Sequence, residues 1–174
     1  VDMYYHADPT DIGAYAAETW RMTLSVDDTG GTVSTGTAPS IDLLTVRYIT
    51  VDSAIDYGTL SVNTDTGAFN ATTTIENLGN QAIDVTIEGT DLSGSGSSVI
   101  PVAEQIYATS TFNYSACVFC SQLATTSANI ELDLAKPAST SPNVTDDVYW
   151  GINIPFGVKG VAHQGLNTFI PVGD

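Results

Sequence analysis

Cys117 and Cys120, in the run CVFC, are the residues of this chain best suited to covalent or metal chemistry. Such a pair does redox work when it tops a βαβ unit, and it binds zinc when two further ligands join it. No βαβ pattern surrounds it, and the only histidines, His6 and His163, lie near opposite ends of the chain. A Cys2His2 site would require both ends to converge on one loop. A local disulfide of the kind found in exported proteins is the expected state. In the loop-entropy model so short a loop contributes about 2 kcal/mol, so its main effect is to stiffen the stretch between Ile106 and Ala128.

Nucleophilic catalysis needs a serine or cysteine, a base and an orienting acid held together. The chain has no G-x-S-x-G elbow. His163, in VAHQG, is expected at a surface or sheet edge, and His6 lies in a tyrosine-rich amino-terminal segment. Adjacent carboxylates occur as Asp27–Asp28 and Asp146–Asp147. A glycosidase needs two carboxylates facing across a cleft, which neighbours on one loop do not provide. Loop aspartates also ligate calcium, but no D-x-D-x-D-G loop is present, and solvated turn residues are expected. No catalytic residue, metal ligand or cofactor is therefore assigned, and the chain is not expected to be an enzyme. The pattern N-x-[ST] occurs at Asn70, Asn113 and Asn143. These are candidate N-glycan acceptors in an exported protein, and Asn143, in a Ser/Thr/Pro loop, is expected to be the most exposed.

The charge balance narrows the partners. Twenty acidic residues stand against Arg21, Arg47, Lys136 and Lys159, for a net charge of −16. Binding a phosphate backbone needs clustered Lys and Arg, so neither nucleic acid nor an anionic membrane surface is expected as a partner. Scattered acid serves solubility; cation binding is the sharper reading. The chain opens on Val1, from which a processed product is expected, located outside the cell or on its surface after signal-peptide removal. No stretch of about 18 apolar residues is present, so no membrane insertion is expected.

These residues must be positioned by strands. Period-two alternation recurs in TWRMTLSV, with Trp20, Met22, Leu24 and Val26 on one face, and such a segment reads as half-buried strand. LLTVRYITV, residues 43–51, reads as a second strand, and YGTLSV as a short one. AFNATTTIE and AIDVTIE read as a hairpin over the turn NLGNQ, with Ile83, Val85 and Ile87 inward and Asp84, Thr86 and Glu88 outward. ANIELDL, VYWGINI and LNTFIPV complete the pattern. Trp20 and Trp150 both fall on apolar faces and are expected in the core. Only TDIGAYAAETW offers a helical turn or two. The expected fold is all-β: an immunoglobulin-like antiparallel β-sandwich, with a jelly roll as the alternative. One domain over residues 18–174 would follow an extension, residues 1–17.

That extension begins VDMYYHA, with Val1, Met3 and Tyr5 on one side. It is a strand with no adjacent hairpin partner. It can pair inside its own domain, or add to the sheet edge of another subunit, and the second use, repeated head to tail, makes a filament.

IDYGTLSV followed by TTTIENLGNQAIDVTIEGTDL, and the closing run DDVYWGINIPFGVKGVAHQGLNTF, resemble secreted immunoglobulin-like β-domains of archaeal and bacterial surface proteins. The resemblance covers roughly residues 50–172 and rests on turn and packing residues; His163 stands where a tyrosine is usual. The general plan is similar to that of TasA-type fibre subunits and related archaeal pili, which polymerise by donating an amino-terminal strand. What the resemblance implies is an exported structural subunit forming a homopolymer by strand addition; covalent glycans are expected from the N-x-[ST] pattern. The second expectation is a cell-surface carbohydrate-binding or adhesin module, which would line up solvent-facing aromatics on one sheet face.

Overall fold

A computed structural model describes residues 7–27, 29–31, 33–52, 54–138 and 143–174. Val1, Met3, Tyr5, His6 and Asp28, singled out above, lie outside the described residues. The described chain is almost entirely β. Its strands are β1 (Thr23–Asp27), β2 (Val33–Thr37), β3 (Ile49–Val51), β4 (Thr64–Asp65), β5 (Ala71–Asn77), β6 (Ile83–Gly89), β7 (Leu92–Gly94), β8 (Ser98–Ile100), β9 (Gln105–Ala108), β10 (Ser121–Gln122), β11 (Ala128–Leu134), β12 (Val144–Ile154), β13 (His163–Gln164) and β14 (Asn167–Gly173). The expected helical stretch yields one 3₁₀ turn, Gly13–Tyr15.

Two sheets form the sandwich. One has the order β10-β9-β12-β5-β3, with β4 also on β12; the other has the order β11-β6-β14. A small sheet, β13-β7-β8, closes one end, and β1-β2 form a separate ribbon. Every pairing is antiparallel. The alternate residues Ile75, Val148 and Trp150 of the first sheet meet Ile83, Val85, Ile87, Ile130 and Leu134 of the second in one core. Trp150 is fully buried, with Tyr107 and Phe169 against its ring at centroid distances of 5.4 and 6.0 Å.

The expected hairpin over residues 71–92 is not one. Its two strands form where expected, but β5 pairs with β12 and β3, while β6 pairs with β11 and β14. The connection is an arch from one sheet to the other. Its polar groups explain the outcome. Asn77 Oδ1 accepts from the Gly79 N–H, and Asn77 Nδ2 reaches the carbonyls of Gln81, Leu134 and Ala135. Asn80 Oδ1 accepts from the Val46 N–H, and its Nδ2 donates to the Leu44 carbonyl. The Gly79 backbone lies so close to the Val46 carbonyl that a Cβ there would collide with it. These bonds spread the arch across residues 44–48 rather than closing it on itself. Asn77→Ala is expected to cost about 1–3 kcal/mol, since it strands buried backbone groups without partners. Urea denaturation measures this directly.

The same bonds shorten the strand expected over residues 43–51 to Ile49–Val51. Leu43, Thr45 and Val46 find partners in the side chains of Thr10, Asp11 and Asn80 instead of a ladder. Leu44, Val46 and Tyr48 are consequently exposed. Of the expected strand TWRMTLSV, only Thr23–Asp27 forms, and it pairs with the ribbon strand β2 rather than with the sandwich. Trp20 is 37% and Met22 64% exposed, against the expectation of a core position. Trp20 Nε1 donates to the Asp8 carbonyl, so the ring pins the extension instead of filling the core.

Asp84, expected to face solvent, is 4% exposed. The register of β11 against β6 breaks between Ile130 and Leu134, and Asp84 Oδ1 accepts the Leu132 and Asp133 N–H groups at that irregularity. The bulge leaves two donors unpaired by the ladder, and the carboxylate turns inward to take them.

Candidate functional site

Among the described residues β3 and β14 each end their sheet, and a groove opens beside the start of β14. In place of the short strand expected at YGTLSV, residues 54–62 run along one side of the opening, and residues 158–167 along the other. Between them lies a groove of about 900 Å³. Its floor is apolar: Leu92, Ile100 and Ile152, with Leu60, Ile154 and Val158 packed on them. β14 is paired on only one side among the described residues, and Phe169 and Asn167 at its start line the groove.

Gln105 anchors the groove floor. Its Oε1 accepts from the Tyr57 hydroxyl at 2.9 Å and from Asn167 Nδ2 at 3.3 Å. Its Nε2 is buried and has no partner among the described residues. Burial pushes the Tyr57 phenol well above its ordinary range, with nearby Tyr114 adding to the shift. Burial, then the Glu104 and Asp65 carboxylates, pushes the Tyr114 phenol up to about 12. Both groups hold their protons in the fold at a pH where the unfolded chain, with its usual value of 10.0, ionises. Their contribution to stability is therefore complete below about pH 10 and lost as pH rises towards the folded values. Alkaline titration followed by circular dichroism and by tyrosinate absorbance is expected to show unfolding and ionisation of these two phenols together, above the titration of the exposed ones.

His163 and Lys159 border the same groove. His163 Nδ1 lies 2.9 Å from the Val161 carbonyl, and Nε2 lies 2.9 Å from Ser98 Oγ. Ser98 Oγ also accepts the Lys159 N–H. A serine–histidine contact is thus present, which sequence reasoning did not find because Ser98 lies 65 residues away. A backbone carbonyl stands where a catalytic carboxylate would be, and Ser98 is buried. The arrangement clamps β8, the Lys159–Val161 turn and β13 together.

The other candidates are dispersed. Cys117 and Cys120 are joined as a disulfide with Cα atoms 5.7 Å apart, so neither sulfur is a zinc ligand. The bridge clips an exposed tip carrying Val118 and Phe119. Replacing both cysteines by serine is expected to cost about 2 kcal/mol or less and to leave the sandwich intact; thermal denaturation with and without reductant checks this. Asp146 and Asp147 lie on β12 rather than on a loop, and Thr74 Oγ donates to Asp147. Among the described residues the carboxylates that do gather are Asp84, Glu131 and Asp133, with oxygens within 4.8 Å of one another. Strand register brings them together, and no sequence spacing announces it. Asp84 Oδ1 is already committed to two N–H groups there. Asn113 and Asn143 are exposed, whereas the Asn70 amide nitrogen is buried.

The described part of the extension is tied to the other end of the sandwich. The Thr10 N–H donates to the Leu43 carbonyl, and Asp8 pairs with Lys136, two residues beyond the end of β11. Leu134 at that end lies opposite Ile83, while the groove lies at the Gly89 end, where Asn167 pairs. No protein-family model, curated protein or solved structure matches this chain.

Proposed function

We propose that this chain is an exported structural subunit that polymerises by laying its amino-terminal segment, residues 1–6, into the groove of a neighbouring copy. The observation that carries this reading is the groove that opens beside the start of β14. An apolar groove there has one wall formed by a strand with an unpaired edge. An extended chain placed along β14 gains main-chain hydrogen bonds and buries alternate side chains. Val1, Met3 and Tyr5 supply that alternation. Pro171 would interrupt such a ladder, but it lies beyond the groove-lining residues of β14.

The direction of assembly follows from the two ends. The extension leaves the body near Lys136 and Leu43, at the Ile83 end, and the groove opens at the Gly89 end. Donor and acceptor on opposite ends make a heterologous contact, which propagates into a filament instead of closing into a dimer. Immunoglobulin-like connectivity and a location outside the cell belong to the same reading. The chain acts as scaffold and not as catalyst. Negative-stain electron microscopy of the purified chain, with its mass measured in parallel, tests it. Filaments are expected. A stable species of 18.2 kDa at high concentration, with the groove binding a sugar in a glycan screen, would replace it by the carbohydrate-binding alternative.

A further inference from the structure

The three sites all match N-x-[ST], Asn113 with a serine and the other two with a threonine, and the fold separates them. Asn70 immediately precedes β5. Its Oδ1 accepts the Phe112 N–H, and its Nδ2 is buried. The next two residues of its tripeptide, Ala71 and Thr72, are locked in the ladder opposite Trp150 and Tyr149. A transferase must reach the amide nitrogen and hold the two residues after it, and neither is available in the folded chain. Asn113 is the opposite case. It sits in the loop joining β9 to β10, ahead of the short turn Tyr114–Ala116, and it is exposed together with Ser115. Its Oδ1 accepts from the Ser115 hydroxyl at 3.2 Å, while its Nδ2 has no partner among the described residues. None of its three residues belongs to a strand.

We infer that Asn113 is an N-glycan attachment site of the folded protein and that Asn70 is not. In the reaction Asn113 Nδ2 bonds to the anomeric carbon of a phosphate-activated oligosaccharide. The bond from that carbon to the phosphate oxygen breaks, the phosphate departs with its electron pair, and Nδ2 loses a proton to a base. A glycan is bulky and needs solvent around it. On Asn70 it would displace Phe112 and the start of β5, so a chain modified there does not reach this fold. Asn143 is exposed but borders residues outside the description, and it takes no part in the inference. The inference rests on the chain being exported, and the test supplies export independently.

The test is to secrete the full chain carrying Asn143→Gln from a glycosylating host on that host's own signal peptide, with one added N-x-T tripeptide in a carboxy-terminal tag as an occupancy standard. The folded, secreted protein is digested with chymotrypsin, and its peptides are mapped by mass spectrometry. The expected result is a glycan mass on the Asn113 peptide at occupancy comparable with the tag, none on the Asn70 peptide, and loss of one glycan mass from the intact protein in Asn113→Gln. An unmodified Asn113 beside a modified tag overturns the inference. So does a glycan on Asn70 in protein whose circular dichroism and urea midpoint match those of the unglycosylated chain.

Discussion

Deleting residues 1–6 is expected to abolish polymers and leave a folded monomer of a little under 18.2 kDa. The deletion stops before Asp8 and Thr10, whose bonds to Lys136 and Leu43 hold the rest of the extension on the body. The complementary variant spoils the groove. Leu60→Glu or Val158→Glu places a charge on its apolar floor, and burying that charge beneath an incoming strand costs far more than one strand's contacts return. Each variant alone is expected to be monomeric by sedimentation. The deletion can still accept a strand and the groove variant can still donate one. A mixture of the two is therefore expected to form one discrete heterodimer of two 18.2 kDa-class chains. Symmetric strand exchange predicts that wild type stops at a closed dimer, and a segment folded back into its own groove predicts that wild type is already monomeric. Polymers that persist after the deletion would sink the strand-addition mechanism. Equal urea midpoints for the variants and the parent separate lost assembly from lost folding.

Trp150→Ala is expected to have the largest effect on stability of any single substitution in the sandwich, about 3–5 kcal/mol. That is a large part of the 5–15 kcal/mol that typically holds a domain together. The ring is 0% exposed, sits on the central strand β12 and contacts Tyr107 and Phe169 from both sheets. Removing it opens a cavity that neither sheet can close without breaking its ladder. Phe156→Ala, six residues away and 90% exposed, is the control. It is expected to change stability by no more than about 0.5 kcal/mol. Urea denaturation of the two variants side by side makes the comparison, and a small loss in Trp150→Ala would mean that the sheets are not packed through this residue.

Asp84 shows how a local pattern misleads. Alternation along IDVTIE assigns it to the solvent face, and its neighbours Val85 and Ile87 obey that assignment. The bulge in β11 overrides it, because two backbone donors on a different strand need an acceptor. Nothing within six residues of Asp84 records that need. Trp20 fails for a related reason. Its segment has the right alternation, but Trp20 lies outside β1 and bridges to Ile41 rather than to a strand of the sandwich, so Trp20 and Met22 are left in solvent.

What the sequence determined by itself was the class of fold and the central strands. β5, β6, β11, β12 and β14 lie where period-two alternation and turn residues place them, and Trp150 faces the core as read. Alternation is a local property, dictated by the two-residue repeat of extended backbone, and it survives any choice of partner. Pairing does not share that property. A hairpin and an arch bury the same alternate residues of β5 and β6, one with both strands in a single sheet and the other with the strands face to face. The choice was made by Asn77 reaching across to Leu134 and Ala135 and by Asn80 reaching to Leu44 and Val46. The groove has the same origin. Its walls come from segments about a hundred residues apart, and it runs beside β14, which ends its sheet among the described residues. Only the tertiary structure decided that, since an unpaired edge is a property of which strand is missing beside it, and no residue on the edge encodes its absence.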